Sequence, residues 1–211
     1  MNEFIFPSNT CEKSNKNGIA QPYSTLINSI GCIMIFYYLL KSKKNYIFTL
    51  FFSMLFFELF HMFSHMNHID NIFQTKIQHF LSYCVIISIL YLFYCYSNKS
   101  PNYQFIFTFI VLICFDIYSI LNLNLIYYMA SQSGIIFLIF FYYYRYLPKF
   151  IQTAIFQIVF LIVIILLLEL NEIFNCENML KKYPSFPFHI LIETIGIIIL
   201  YIICKNFSKL Y

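Results

Sequence analysis

Glu58, His61, His65 and His68 follow one another at spacings of three, four and three, which at about 100° per residue keeps all four on one narrow helical face. Ser64 flanks that face, and His79 follows a short distance on. Near the end of the chain Ser185, His189 and Glu193 are spaced by four and share a second stripe. Neutral imidazole is the commonest metal ligand, and histidines brought from separate helices to one level build a tetrahedral site with an open water position. Zinc in such a site lowers the pKa of its water to about 7 and so supplies a nucleophile at neutral pH. Glu58 and Glu193, one to two turns deeper, are placed to orient a ligand or take a proton. All five histidines therefore count as metal-ligand candidates.

These residues lie in or beside sequence that reads as membrane-spanning. The chain has 211 residues, of which 61% are hydrophobic and 10% charged. Soluble domains run at about 45 to 50% apolar and about 25% charged. Ionisable side chains in spanning segments are costly and rarely face lipid, which makes them functional candidates. Seven segments are long and apolar enough to span: about 24–40, 46–66, 78–96, 103–121, 125–144, 150–170 and 188–204. Only Asn122-Leu123-Asn124 separates the fourth from the fifth; without that break the count is six. The expected fold is an all-α bundle of seven transmembrane helices over 24–205. A polar segment, 1–23, precedes it and a short tail, 206–211, follows. The first span is expected to target itself, since 1–23 lacks an apolar signal region.

Loop Lys and Arg residues divide eight to five between the two sides, which predicts an outside or lumenal N-terminus and a cytosolic C-terminus. Every histidine then falls at the non-cytosolic end. Cys11 and Cys176 lie in polar segments on that side and form the candidate disulfide, while Cys32, Cys84, Cys95, Cys114 and Cys204 read as apolar fillers. The net charge of +4 is scattered over short loops, so nucleic acid is not an expected partner. Asp116 falls in mid-span with no partner evident in the sequence. Gly134 and Gly196 read as positions of close helix packing.

Three segments resemble the alkaline ceramidase family, seven-helix zinc amidases related to the progestin and adiponectin receptors. Cys11-Glu12 followed by Ser24-Thr-Leu-Ile-Asn-Ser29 is similar to that family's Cys-Glu segment and first helix. Ser64, His68 and His79 stand where the family has a serine, a zinc-binding histidine and an aspartate. The acidic stretch 171–177, Lys181-Lys182 and Phe188-His-Ile-Leu191 resembles its loop and helix 7 motif, with Ser185 where the first of two histidines belongs. The resemblance implies zinc held by His68, His189 and His79, with His65 and His61 in reserve. It also implies Ser64 as a hydrogen-bond donor to the oxyanion, and a Cys11–Cys176 disulfide. Of the family's calcium site only Glu12 remains, so calcium is not expected.

The implied activity is hydrolysis of a ceramide-like lipid amide in an endomembrane such as the endoplasmic reticulum or Golgi, with Ser64, His79 and Glu193 as the catalytic candidates. Two other readings share these residues: a non-catalytic lipid-binding or receptor-like protein, and a b-type haem protein with two axial histidines.

Overall fold

The computed structural model describes residues 11, 15, 18–67, 72–122, 124–184 and 186–210. Every regular element among them is helical: α1 (Pro22–Leu40), α2 (Asn45–Met66), α3 (Ile72–Ser97), α4 (Tyr103–Leu121), α5 (Leu125–Tyr143), a 3₁₀ turn (Tyr144–Tyr146), α6 (Lys149–Lys182) and α7 (His189–Phe207). All seven α-helices are long and apolar enough to cross a membrane, which makes this a multi-pass membrane protein. Pro22 opens α1, and Asn102 and Asn124 cap α4 and α5 by accepting from the backbone N–H groups of Phe105 and Tyr127 at 2.8 and 3.0 Å. The Asn124 cap is what makes α4 and α5 two helices, so the narrow break at 122–124 does separate two spans.

Two helices outrun their apolar stretches. α3 begins at Ile72 rather than near Gln78, and α6 continues through 171–182, the acidic stretch that reads as a loop in sequence. Hydropathy marks where the membrane ends; a helix ends where a breaker stops it, and Pro184 is the first after Pro148. Asn175 Nδ2 donates to Asn171 Oδ1 at 2.8 Å, one turn apart on this extension. At 34 residues α6 is about 50 Å long, well beyond a hydrocarbon core of about 30 Å.

The helices close a ring in the order α1, α2, α3, α5, α6, α7, back to α1, with α4 packed outside against α5. The apolar stretch of α4 is only 17% buried, against 39% for α1, in keeping with its peripheral place. Outward faces carry exposed Phe, Ile, Leu and Tyr, as a lipid-facing surface requires. Hydroxyls of Thr49, Ser88, Thr108 and Thr194 donate to carbonyls four residues back and so need no outside partner.

Each buried stripe changes character along its helix. On α2 Ile47, Leu50, Phe51 and Met54 are buried at one end, and Glu58, Ser64 and His65 at the other. On α7 His189 and Glu193 give way to Ile203, Cys204 and Phe207; on α1 Ser24, Thr25 and Asn28 give way to Ile35 and Leu39. The apolar end closes on Phe93, whose ring lies 5.5 to 6.0 Å from those of Phe140, Tyr143 and Phe207. The opposite end collects the buried Glu58, His65, Glu172, His189 and Glu193. Close helix approach falls at Gly31 rather than at Gly134 or Gly196: a Cβ there would lie 2.5 Å from Ile197 Cδ1 and 2.8 Å from Glu58 Oε1. Gly196 faces open space, and Gly134 has ordinary contact with Leu112.

Candidate metal centre

The polar end is built from the C-terminal half of α2, the start of α7, the extension of α6 and the residues leading into α1. His61 and His65 stand one turn apart on α2 with ring centroids 4.9 Å apart, and the His65 ring is 5.5 Å from that of His189 on α7. All three imidazoles turn Nε2 toward one atom, Glu193 Oε1, at 3.4 Å from His61, 3.0 Å from His65 and 2.8 Å from His189. One ligand atom from each of His61, His65 and Glu193 lies within 4.8 Å of the others, a spacing that one metal ion can bridge.

The far nitrogens of two of these rings are oriented from behind. His65 Nδ1 meets Gln21 Oε1 at 2.5 Å, and His189 Nδ1 meets Glu172 Oε2 at 3.0 Å. When Nδ1–H donates to these oxygens, Nε2 carries the lone pair, the tautomer that a metal takes. A carboxylate oxygen offers about two acceptor sites. Three nitrogens around Glu193 Oε1 exceed what it can accept, and His61, His65 and Glu193 are the two-imidazole, one-carboxylate donor set of metal sites with an open position, with His189 beside but outside that group. The residues thus fit a divalent ion. Glu58 and Glu172 are both buried, and among the described residues Glu58 Oε1 and Glu172 Oε1 have no hydrogen-bond partner. Glu169, one turn before Glu172, lies within electrostatic reach of His189, Glu172 and Glu193.

The chain that leads into α1 closes this end. Gln21 N–H donates to the His65 carbonyl at 2.9 Å and Ala20 N–H to the Met66 carbonyl at 3.3 Å, so Gln21 is fixed to α2 at both its backbone and its side chain. A disulfide joins Cys11 to Cys176 on the α6 extension, and Cys11 Sγ lies 4.0 Å from the carbonyl oxygen of Glu172. The N-terminal segment is therefore tied to α2 and α6, two of the three helices that supply orienting or ligating groups.

Of the residues singled out in the sequence, His61, His65, His189 and Glu193 come together. His68 and Ser185 lie outside the described residues. His79 is buried on α3 with its ring centroid 4.2 Å from that of Tyr128 on α5, and it is not in the three-residue group that His61, His65 and Glu193 form. His79 lies two turns inside α3, on the face that meets Tyr128 of α5. Ser64 is buried with its hydroxyl on the carbonyl of Phe60, in its own helix, at 2.9 Å. Gln21, Glu169 and Glu172 are missing from the sequence-derived set. A helical reading continued past Leu170 places Glu169 and Glu172 on one face; Gln21, just ahead of α1, has no periodic signal.

Asp116 also has partners. It is fully buried and accepts from Tyr83 and Ser131 hydroxyls and, at 2.8 Å, from Gln132 Nε2. This second polar cluster joins α3, α4 and α5.

Fold and site together define a class: a seven-helix membrane protein with a buried histidine–carboxylate centre at one end of the bundle. No protein-family model matches the chain, and neither a curated protein nor a solved structure matches it.

Proposed function

We propose that this protein is an intramembrane metal-dependent hydrolase that cleaves a ceramide-like lipid amide, with zinc held by His61, His65, His189 and Glu193. The convergence of three imidazole Nε2 atoms on Glu193 Oε1 carries the metal assignment. The resemblance to alkaline ceramidases supplies the substrate class. The family's ligand positions then fall one turn earlier on α2, at His65 in place of His68, and one turn later on α7, at His189 and Glu193 in place of Ser185 and His189.

When bound, zinc supplies Lewis-acid activation of water and polarisation of a carbonyl. Gln21 and Glu172 hold the His65 and His189 rings in the ligating tautomer. Glu58, one turn from His61 with a buried oxygen free of hydrogen bonds among the described residues, is placed to take and return a proton. The apolar half of the bundle below the site excludes bulk water, and a lipid reaches the centre sideways between helices.

The excess of Lys and Arg in the opposite loops supports a non-cytosolic site. A disulfide beside it suits an oxidising endomembrane lumen. Protein purified in mild detergent is expected to carry close to one zinc per chain by mass spectrometry, with no Soret band. His65→Ala and Glu193→Ala should each lower zinc below a tenth of that. Unchanged metal content in these variants, or folded wild-type protein that takes up no zinc, would sink the proposal; zinc without fatty-acid release from any ceramide would sink the substrate half alone.

A further inference from the structure

At the end of the bundle opposite the histidines, a cavity of about 300 Å³ opens between the α3–α4 loop and the last turn of α5. Lys99 and Arg145 line it together with Ser100, Asn102, Phe141 and Tyr146. The loop is held in place from α5. Tyr142 hydroxyl donates to the Ser100 carbonyl at 2.9 Å and accepts from Asn102 N–H at 3.0 Å, and Tyr143 hydroxyl donates to the Lys99 carbonyl at 3.1 Å. Lys99 Nζ stands 5.7 Å from the centre of the Tyr146 ring. Both cations are exposed, and among the described residues neither is paired with a carboxylate. Two unneutralised cations, Lys99 on the fixed loop and Arg145 on the 3₁₀ turn after α5, call for an anion.

The apolar wall says which kind. Phe141 belongs to spanning helix α5, is 86% exposed, and lines the same cavity as the two cations. A free anion has no use for that ring, whereas an amphiphile sets its charged head on Lys99 and Arg145 and its chain along Phe141. We propose that this cavity binds the phosphate headgroup of an anionic phospholipid from the surrounding leaflet. The volume is that of a small-molecule site at its lower limit, enough for a headgroup with its chains left in the bilayer. In the proposed orientation this end faces the cytosolic leaflet, where anionic lipids concentrate and juxtamembrane cations recruit them. The site lies at the far end from the metal centre, so it stands or fails independently of the hydrolase reading.

The test is native mass spectrometry of the full chain in detergent, offered an equal mixture of phosphatidylserine and phosphatidylcholine. Wild-type protein is expected to retain phosphatidylserine preferentially, and the double variant Lys99→Gln/Arg145→Gln to lose that preference by about 30-fold, as two membrane-surface cations imply. Arg145→Gln alone, at an exposed position, should lose about fivefold and serves if the double variant does not stay monodisperse. The control Lys41→Gln/Lys43→Gln removes two cations from the neighbouring loop at the same end and should leave the preference intact. An equal loss in the control, no loss in the cavity variants, or full displacement of the lipid by millimolar inorganic phosphate would each overturn the assignment.

Discussion

Two polar clusters are buried in this bundle, and they are built on opposite principles. Asp116 is surrounded by neutral donors, two hydroxyls and an amide, which between them occupy both carboxylate oxygens. Glu193 is surrounded by three imidazole nitrogens that all compete for one oxygen, beside two further carboxylates with oxygens unbonded among the described residues. The first cluster is complete as it stands: it fastens the peripheral α4 to α3 and α5, where apolar packing is thin. The second has more donor atoms than its own members can satisfy. A buried polar network that is fully paired rigidifies a fold; one left with excess ligating atoms points to something it holds.

The sharpest way to break this comparison is to remove each carboxylate and ask what is lost. Asp116→Ala leaves the Tyr83 and Ser131 hydroxyls and the Gln132 amide buried without their acceptor. It is expected to cost about 3 to 5 kcal/mol of stability, measured as a lower melting temperature in detergent, with zinc per folded chain unchanged. Loss of zinc in a variant that still melts cooperatively would mean that the two clusters are one functional unit.

A smaller effect is expected from Glu172→Gln. The amide can still accept from His189 Nδ1–H through its oxygen, so the ring stays in place, but the negative charge that raises the basicity of Nε2 is gone. Zinc affinity should fall about tenfold, read by competition with a chromophoric chelator, with little change in melting temperature. An equally tight site in this variant would show that Glu172 is a structural partner of His189 and no part of the centre's tuning.

How much of this was legible beforehand differs between the clusters for a physical reason. Helix-period spacing put Glu58, His61 and His65 on one face of α2 and His189 and Glu193 on one face of α7, because spacing within a helix is fixed by its geometry. Seven spans were legible from apolar length alone. The contribution of α6 is not: hydropathy ends the span at Leu170, which reads Glu172 as loop, whereas it stands on a continuous helix. The partners of Asp116 were hidden as well, since Tyr83, Ser131 and Gln132 come from two other helices and serine and tyrosine are common along the whole chain. Gly31 is not legible either, because one glycine in a span carries no sign of which helices cross there, and in sequence Gly134 and Gly196 are equivalent to it.

His79 tests where the boundary between the two clusters runs. Its ring packs edge-on against Tyr128, one helical turn before Ser131, so it sits on the Asp116 side of the bundle. As a metal ligand, the role that its sequence position implied, it would have to leave that contact and reach across from α3 to α7. His79→Phe keeps a ring of similar size against Tyr128 and removes both nitrogens. Zinc content and affinity are expected to stay at the wild-type level, with a stability change under about 1.5 kcal/mol, as for other volume-conserving swaps in a packed interior. A variant that folds but loses its zinc would instead place α3 in the coordination shell. The division between a closed structural network and an open ligand site would then give way to a single polar core shared by all the helices of the ring.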